Sequence, residues 1–198
     1  RKEPLRRPSA ATAAVPLFDW SALERILREP TLYALVVRAG MLVDCPQPRD
    51  VSALRQLFSR GVGIVVRRAE RQDAALRQLA CAFAADLPGE THVQLFVTPR
   101  DSIGLGWHSH AEDVFILQTA GEKSYYFRRN TLAPDFRPGA QPDFTRVANE
   151  SSPIQTCTLL PGDWLYVPRG WWHVARATHD SLSISLGVLL DRDLERES

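Results

Sequence analysis

The sequence contains few cysteines and no long hydrophobic run, and each absence excludes a class of protein. Its three cysteines are widely spaced and include no C-x-x-C pair. This argues against a disulfide framework and favours reduced thiols in a cytoplasmic protein. No apolar run approaches the roughly 20 residues that a membrane-spanning helix requires. We therefore predict a cytoplasmic protein that has no membrane partner.

The sequence also lacks an excess of charge of either sign. The formal net charge is +1, from 24 basic and 23 acidic residues. Residues 1–7 hold four of the basic residues and one of the acidic ones, so the remainder has 20 basic against 22 acidic residues. This slightly acidic body offers no basic surface for nucleic acid. We predict that residues 1–15 form a flexible basic leader and that residues 16–198 form one domain.

Apolar residues at helical spacing predict three helices in the first half of the chain. The first helix follows a cap at Asp19 or Ser21, and the second ends near Gly61. The third covers ERQDAALRQLACAFAADLPG, in which Cys81 is predicted to be a small buried residue. The helical part is therefore predicted over about residues 18–87, with GIVV as a short strand within it.

Short segments rich in β-branched and aromatic residues alternate with turns from about residue 90 to residue 190, which predicts strands. The predicted strands are THVQLFVTP, DVFILQT, KSYYFRR, QTCTLL, DWLYVP, WHVARAT and SLSISLGVLL. Many short strands between turns rich in Gly and Pro favour a sandwich or a barrel. We therefore predict a mainly β fold with N-terminal helices. A long loop from Asn130 to Ser152 is typical of a lid or a substrate-binding segment.

The histidines form the most informative pattern of the sequence. The stretch GLGWHSHAED places His108 and His110 two residues apart, and on a strand such residues point to the same face. A hairpin predicted for LLPGDWLYVPRGWWH delivers His173 into the same barrel. Three neutral imidazoles can hold a divalent metal and leave coordination positions open for substrate or oxygen. We interpret His92 as a strand-end polar residue and His179 as a solvated turn residue.

Two longer motifs carry a resemblance to known proteins. The motif G-x5-P-x-G-x2-H that ends at His173 resembles the second sequence motif of the cupin superfamily, with Ala177 where asparagine is common. The stretch GLGWHSHAEDVFILQTAGEKSYYF resembles the pattern G-x-G-x-H-x-D-x-x-D-V-F-x-L-Q-x-x-G-x-K/R of the JmjC-type cupin oxygenases. Within that family it resembles the branch that includes ribosomal-protein hydroxylases. The resemblance extends from about Phe18 to Leu190 and implies a double-stranded β-helix, or jelly roll.

The resemblance implies an enzyme that uses Fe(II), 2-oxoglutarate and O2 to hydroxylate a substrate. The family binds Fe(II) through a histidine, an acidic residue two positions on and a distal histidine, which correspond to His108, His110 and His173. Its basic residue for the far carboxylate of 2-oxoglutarate lies thirteen positions after the acidic ligand, which is Lys123 here. His110 replaces the family's carboxylate, so the implied site has three histidines. If the strand continued, Glu112 would offer a carboxylate on the same face.

Alternation along the predicted strands selects further candidates for a substrate pocket. Tyr125 shares the face of Lys123, and Trp171 shares the face of His173. Ser185 is one of three serines on one face of the last predicted strand. Such residues can line a pocket around the metal, although an aromatic barrel lining or an outward polar face gives the same pattern.

Three functions remain open from the sequence. The preferred one is an Fe(II)- and 2-oxoglutarate-dependent oxygenase of a peptide, a protein side chain or a small metabolite, with other divalent metals able to occupy the site. The second is a three-histidine metal cupin enzyme, similar to the thiol dioxygenases, in which Lys123 serves the substrate and 2-oxoglutarate is not used. The third is a non-catalytic metal-binding cupin. The ribosomal enzymes carry a further C-terminal region, whereas this sequence ends at Ser198, so neither their substrate nor their helical dimerisation is predicted.

Overall fold

The computed structural model describes residues 2–87, 89–132 and 146–190. Most of the predicted loop from Asn130 to Ser152 lies outside these residues. The described helices are α1 (Trp20–Leu27), α2 (Val51–Phe58) and α3 (Ala74–Asp86), with 3-10 turns at Thr12–Leu17, Ala69–Arg71 and Arg146–Asn149. The described strands are β1 (Leu5–Arg7), β2 (Ala34–Arg38), β3 (Met41–Leu42), β4 (Val62–Val66), β5 (Gly89–Thr98), β6 (Asp113–Ala120), β7 (Lys123–Arg128), β8 (Gln155–Leu159), β9 (Trp164–Val167), β10 (Trp172–Ala177) and β11 (Ser181–Leu190).

The described strands form two antiparallel sheets. The larger sheet has the order β1-β9-β6-β11-β5-β4-β2-β3, and the smaller has the order β10-β7-β8. β11 lies between β5 and β6 along most of its length, so its inward side chains occupy the middle of the larger sheet. The predicted mainly β architecture with N-terminal helices is confirmed, and each strand predicted after residue 90 is present.

Each described α-helix begins at an aspartate whose side chain accepts hydrogen bonds from backbone N–H groups of the first turn. The distances are 2.7 Å from Asp19 to the N–H of Ala22, 2.7 Å from Asp50 to that of Ala53 and 2.9 Å from Asp73 to that of Ala75. The apolar face of α1 is at most 2 % exposed and belongs to a hydrophobic core shared with β4, β5 and β11. Burial of each Leu or Ile contributes about 1.5–3 kcal/mol, so packing fixes these helices against the larger sheet.

The structure confirms the strand predicted at GIVV, which lies in β4, and adds two strands to the first half that were not predicted. The segment ALVVR forms β2, which pairs with β4 and with the short β3. β4 in turn pairs with β5, so the N-terminal part extends the larger sheet rather than forming a separate layer. A short apolar run does not distinguish a buried strand from a helix by periodicity. Cys81 is exposed rather than buried, because α3 packs through Leu76 and Ala80. No described helix is long and apolar enough to span a membrane.

The predicted flexible leader is instead attached to the body within its described part. β1 pairs with β9, and two basic side chains of the leader reach nearly buried carboxylates. Lys2 Nζ lies 2.8 Å from Asp113, and Arg6 lies 2.6 Å from Asp163. A buried carboxylate without a partner is costly, so these ion pairs give a physical reason for the ordered leader. The short, mostly polar β1 has little strand signal of its own.

Candidate metal and cosubstrate site

Backbone pairing, rather than a regular strand, positions the three histidines. β6 begins only at Asp113, so His108 and His110 precede it. The N–H of His173 donates to the carbonyl of His108 at 2.9 Å, and the reverse bond measures 3.2 Å. The N–H of Gly170 donates to the carbonyl of His110 at 2.8 Å. The segment is therefore held against β10 and the turn before it, which brings all three imidazoles together.

The imidazole geometry suits a divalent metal. One ligand nitrogen from each of His108, His110 and His173 can be chosen so that all lie within 4.8 Å of one another. The ring centroids are 4.3 Å apart for His108 and His173, 4.7 Å for His108 and His110, and 5.3 Å for His110 and His173. Nitrogen ligands lie about 2 Å from a bound zinc-like ion, so small movements of the rings would let the three nitrogens share one ion. Glu112 is not part of this cluster.

Burial keeps these imidazoles neutral, as metal ligands must be. It lowers the pKa of His108 to about 4 and that of His173 to about 3, and it holds the pKa of His110 well below its ordinary value. The Nδ1 atom of His108 donates to the carbonyl of Gly106 at 2.6 Å, and that of His173 donates to the carbonyl of Trp171 at 3.2 Å. Such carbonyl partners at one nitrogen orient the other nitrogen as a ligand. The donor set therefore fits a divalent metal.

Lys123 is a buried basic side chain with no carboxylate partner among the described residues. Its side chain is 2 % exposed, its Nζ donates to Ser183 Oγ at 3.0 Å, and it lies 5.6 Å from the ring centre of Phe96. Burial lowers the pKa of Lys123 to about 7. An anionic ligand bound beside Lys123 would restore its charged form, because an opposite charge within about 4–6 Å favours ionisation. Tyr125 is buried beside Ser183, and burial raises its pKa.

One cavity between the two sheets contains the histidines and Lys123. Its lining is Gln94, Phe96, Thr98, Gly104, Leu105, His108, His110, Glu112, Val114, Ile116, Lys123, Tyr125, His173, Ala175, Ser185 and Gly187. The structure thus brings seven of the eight predicted site residues to one cavity. Trp171 is the exception: it precedes β10 in a turn, packs 6.5 Å from the ring of Phe127 and lies under the guanidinium of Arg129. Strand alternation did not apply to it, because the chain is still turning there.

Sequence reasoning missed a polar group at one end of this cavity. His92 lies inside β5 rather than at a strand end and is 6 % exposed. Its Nε2 lies 3.6 Å from Glu112 Oε2 and 3.3 Å from Gln94 Nε2. Gly187, opposite His92 in the β5–β11 register, leaves the room for this group. A glycine inside a strand often marks a close approach, so Gly187 was the available signal.

Glu150 was also missed, and it links β10 to the chain on both sides of residues 133–145. Its carboxylate accepts from Trp172 Nε1 at 3.2 Å, from the N–H and hydroxyl of Thr131 at 2.7 Å each, and from the N–H of Ser152 at 3.0 Å. These donors outweigh partial desolvation and lower the pKa of Glu150 to about 2. Trp172 directly precedes His173, so Glu150 supports the strand that carries this histidine.

Comparison with known proteins matches most of the chain to one family of domains. A model of the JmjC domain matches residues 68–194. The bifunctional lysine-specific demethylase and histidyl-hydroxylase NO66 of Drosophila pseudoobscura pseudoobscura is 28 % identical over 129 residues, covering 65 % of this chain and 13 % of that protein. Ribosomal oxygenase 2 of Bos taurus is 35 % identical over 98 residues, covering 45 % of this chain and 20 % of its own length. This chain therefore spans a minor part of these relatives.

Solved structures share the fold. YcfD of Escherichia coli matches with a TM-score of 0.72 and 19 % sequence identity, over 98 % of this chain and 52 % of that one. YcfD as a ribosomal oxygenase in complex with cobalt and 2-oxoglutarate matches with a TM-score of 0.70, again at 19 % identity, over 99 % of this chain and 54 % of that one. This likeness confirms the predicted double-stranded β-helix. Because the model of the JmjC domain matches more than half of this chain, the chain belongs to the JmjC domain family.

Proposed function

We propose that this domain is an Fe(II)- and 2-oxoglutarate-dependent oxygenase that hydroxylates a protein side chain. One observation carries the proposal: a cluster of three neutral imidazoles, of which His108 and His173 are buried, shares a cavity with Lys123. The side chain of Lys123 is buried and lacks a carboxylate partner among the described residues. His108, His110 and His173 would hold Fe(II). Bound Fe(II) supplies the redox chemistry by which O2 is activated.

Lys123 would bind the far carboxylate of 2-oxoglutarate. Burying an ammonium group without a partner is costly, and a dicarboxylate ligand would relieve that cost. Ser183 holds the lysine from one side at 3.0 Å, so the ammonium is oriented before a ligand arrives. The apolar lining around it, including Phe96, Leu105, Val114 and Ile116, would exclude water from a reactive centre.

The names of the relatives support a protein substrate. One is called a lysine-specific demethylase and histidyl-hydroxylase and another a ribosomal oxygenase, so both names refer to protein or ribosomal chemistry. By analogy, a side chain of a protein or peptide is the substrate we propose for this domain. We also propose that the protein is cytoplasmic and that nucleic acid is not its partner.

His110 supports a second candidate function. The ordinary site for this chemistry is a facial triad of two histidines and one carboxylate, and a third imidazole donates no negative charge to the metal. A three-histidine metal enzyme that does not use 2-oxoglutarate would keep the same cluster, with Lys123 binding a carboxylate of its substrate instead.

Anaerobic titration of the Fe(II)-loaded protein with 2-oxoglutarate separates these functions. We expect a visible charge-transfer band on 2-oxoglutarate binding, and succinate release once O2 is admitted. Lys123→Met, which removes the charge but keeps a long side chain, should keep the bound iron and lose the band. Stoichiometric iron without any band or 2-oxoglutarate turnover in the unmodified protein would refute the proposed function and favour the second candidate.

A further inference from the structure

The charges in the cavity are distributed unevenly. Glu112 is the only acidic side chain among the described residues that line it. Lys123 contacts Ser183, whereas Glu112 lies against Gly187. These two positions are four residues apart on β11, which corresponds to about 13 Å along a strand. The carboxylate and the ammonium are therefore at different ends of the cavity and do not neutralise each other as an ion pair.

The Glu112 carboxylate lies close to the backbone of β11 at Gly187, which has no side chain in the way. A Cβ atom on Gly187 would lie 2.7 Å from Glu112 Oε2 and 2.8 Å from His92 Nε2. The only polar partner that the described residues give this carboxylate is His92, at 3.6 Å. Burial lowers the pKa of His92 despite the opposing effect of Glu112, so this imidazole does not neutralise the carboxylate.

A divalent metal bound by the three histidines would leave the cavity strongly positive. Imidazole ligands contribute no charge, so the ion keeps its two positive charges and Lys123 adds a third. 2-Oxoglutarate brings two negative charges, which leaves one positive charge uncompensated. Charges interact strongly where the local dielectric is low, and Glu112 would supply the one negative charge that is missing.

We propose that Glu112 is an electrostatic positioning residue that compensates, from outside the ligand set, for the absence of a carboxylate ligand among the three histidines. Its carboxylate strengthens metal binding through the field in the cavity rather than through a bond to the ion. The part of this inference that concerns 2-oxoglutarate rests on the proposed function, whereas the part that concerns the metal does not.

The metal part is tested by titrating the apoprotein with Co²⁺ and following the visible absorption of the bound ion. We expect Glu112→Gln to weaken Co²⁺ binding by about 10- to 100-fold, the range for groups that support a metal site from outside the ligands. Glu112→Asp, which keeps the charge, should restore most of the affinity. Glu24→Gln removes the negative charge of an exposed α1 residue that pairs with Arg28 and should leave the affinity unchanged. Glu112→Ala repeats the measurement if the glutamine variant does not fold.

A second measurement separates a field effect from a structural one. With the site saturated by Co²⁺, Glu112→Gln should bind the 2-oxoglutarate dianion more tightly than the unmodified protein, because a repelling negative charge has been removed. Opposite changes in the two affinities are the signature of electrostatics, whereas a disturbed cavity would weaken both. An unchanged Co²⁺ affinity, or a weakening of both ligands, would overturn the inference. If the unmodified cobalt form fails to bind 2-oxoglutarate, the proposed function fails while the Co²⁺ result still decides the role of Glu112.

Discussion

Neutralising Glu150 should remove a pH-dependent part of the stability of this fold. The pKa of Glu150 falls from 4.5 to about 2 in the folded protein, because backbone and side-chain donors bind its charged form. The full shift corresponds to about 3 kcal/mol. We expect about 2 kcal/mol to be measured, because solvent screens part of an interaction close to the protein surface.

Proton linkage determines the direction in which the stability contributed by Glu150 changes with pH. The folded pKa is depressed, so the unfolded chain binds more protons between the two pKa values. The stabilisation is therefore complete above the unfolded pKa of 4.5 and is lost as the pH falls towards the folded pKa of about 2. Glu150→Gln cannot titrate, and it should lower the free energy of unfolding near neutral pH. The difference between the two proteins should shrink steadily as the solution becomes more acidic.

Urea unfolding of the apoprotein, with a chelator present, at several pH values between about 3 and 7 measures this difference. Comparing the two proteins at each pH cancels the titration of every other group. Glu90→Gln is the control: the pKa of Glu90 is also lowered, by Arg68, but this ion pair is exposed and should contribute only about 0.2–1 kcal/mol. A Glu150→Gln difference that is the same at every pH would refute the reasoning.

Three further predictions concern the cavity and the N-terminal strand. Because burial lowers the pKa of Lys123 from 10.5 to about 7, the unfolded chain binds more protons between these values, so the apoprotein should gain stability as the pH rises through this range. Lys123→Met should abolish that gain in urea unfolding. A gain that persists in this variant would show that Lys123 is not its source. Gly187→Ala should cost about 1–3 kcal/mol, as overpacking does, because its methyl group would meet the nearly buried His92 ring at 2.8 Å as well as Glu112 Oε2 at 2.7 Å; an unchanged thermal midpoint would contradict this expectation. Arg6→Ala leaves Asp163 without its 2.6 Å cationic partner and should destabilise the protein by about 1–3 kcal/mol, whereas the double variant with Asp163→Asn should recover part of that loss.

The local sequence pattern was sufficient to predict a strand or a helix where all the residues that determine it lie within one segment. Alternating and β-branched residues predicted every strand from β5 to β11, and Asp19, one of the two predicted caps, is where α1 begins. The same reasoning failed for β2 and β3, because a short apolar run fits a helix as well as a strand. It also failed for β1, whose attachment comes from ion pairs with carboxylates more than a hundred residues away.

The sequence alone selected the three histidines His108, His110 and His173 through residue spacing and a hairpin, which are local properties, and the family resemblance added Lys123. Tertiary structure decided the surroundings of these residues. The register of β11 against β5 places Gly187 opposite His92 and makes room for Glu112, and the fold brings Glu150 to the strand that carries His173. Such contacts join segments that are far apart in sequence, so periodicity within one segment does not predict them. Local sequence features therefore predicted which residues could bind a metal and its cosubstrate, whereas the pairing of the sheets determined which other charged groups lie beside them.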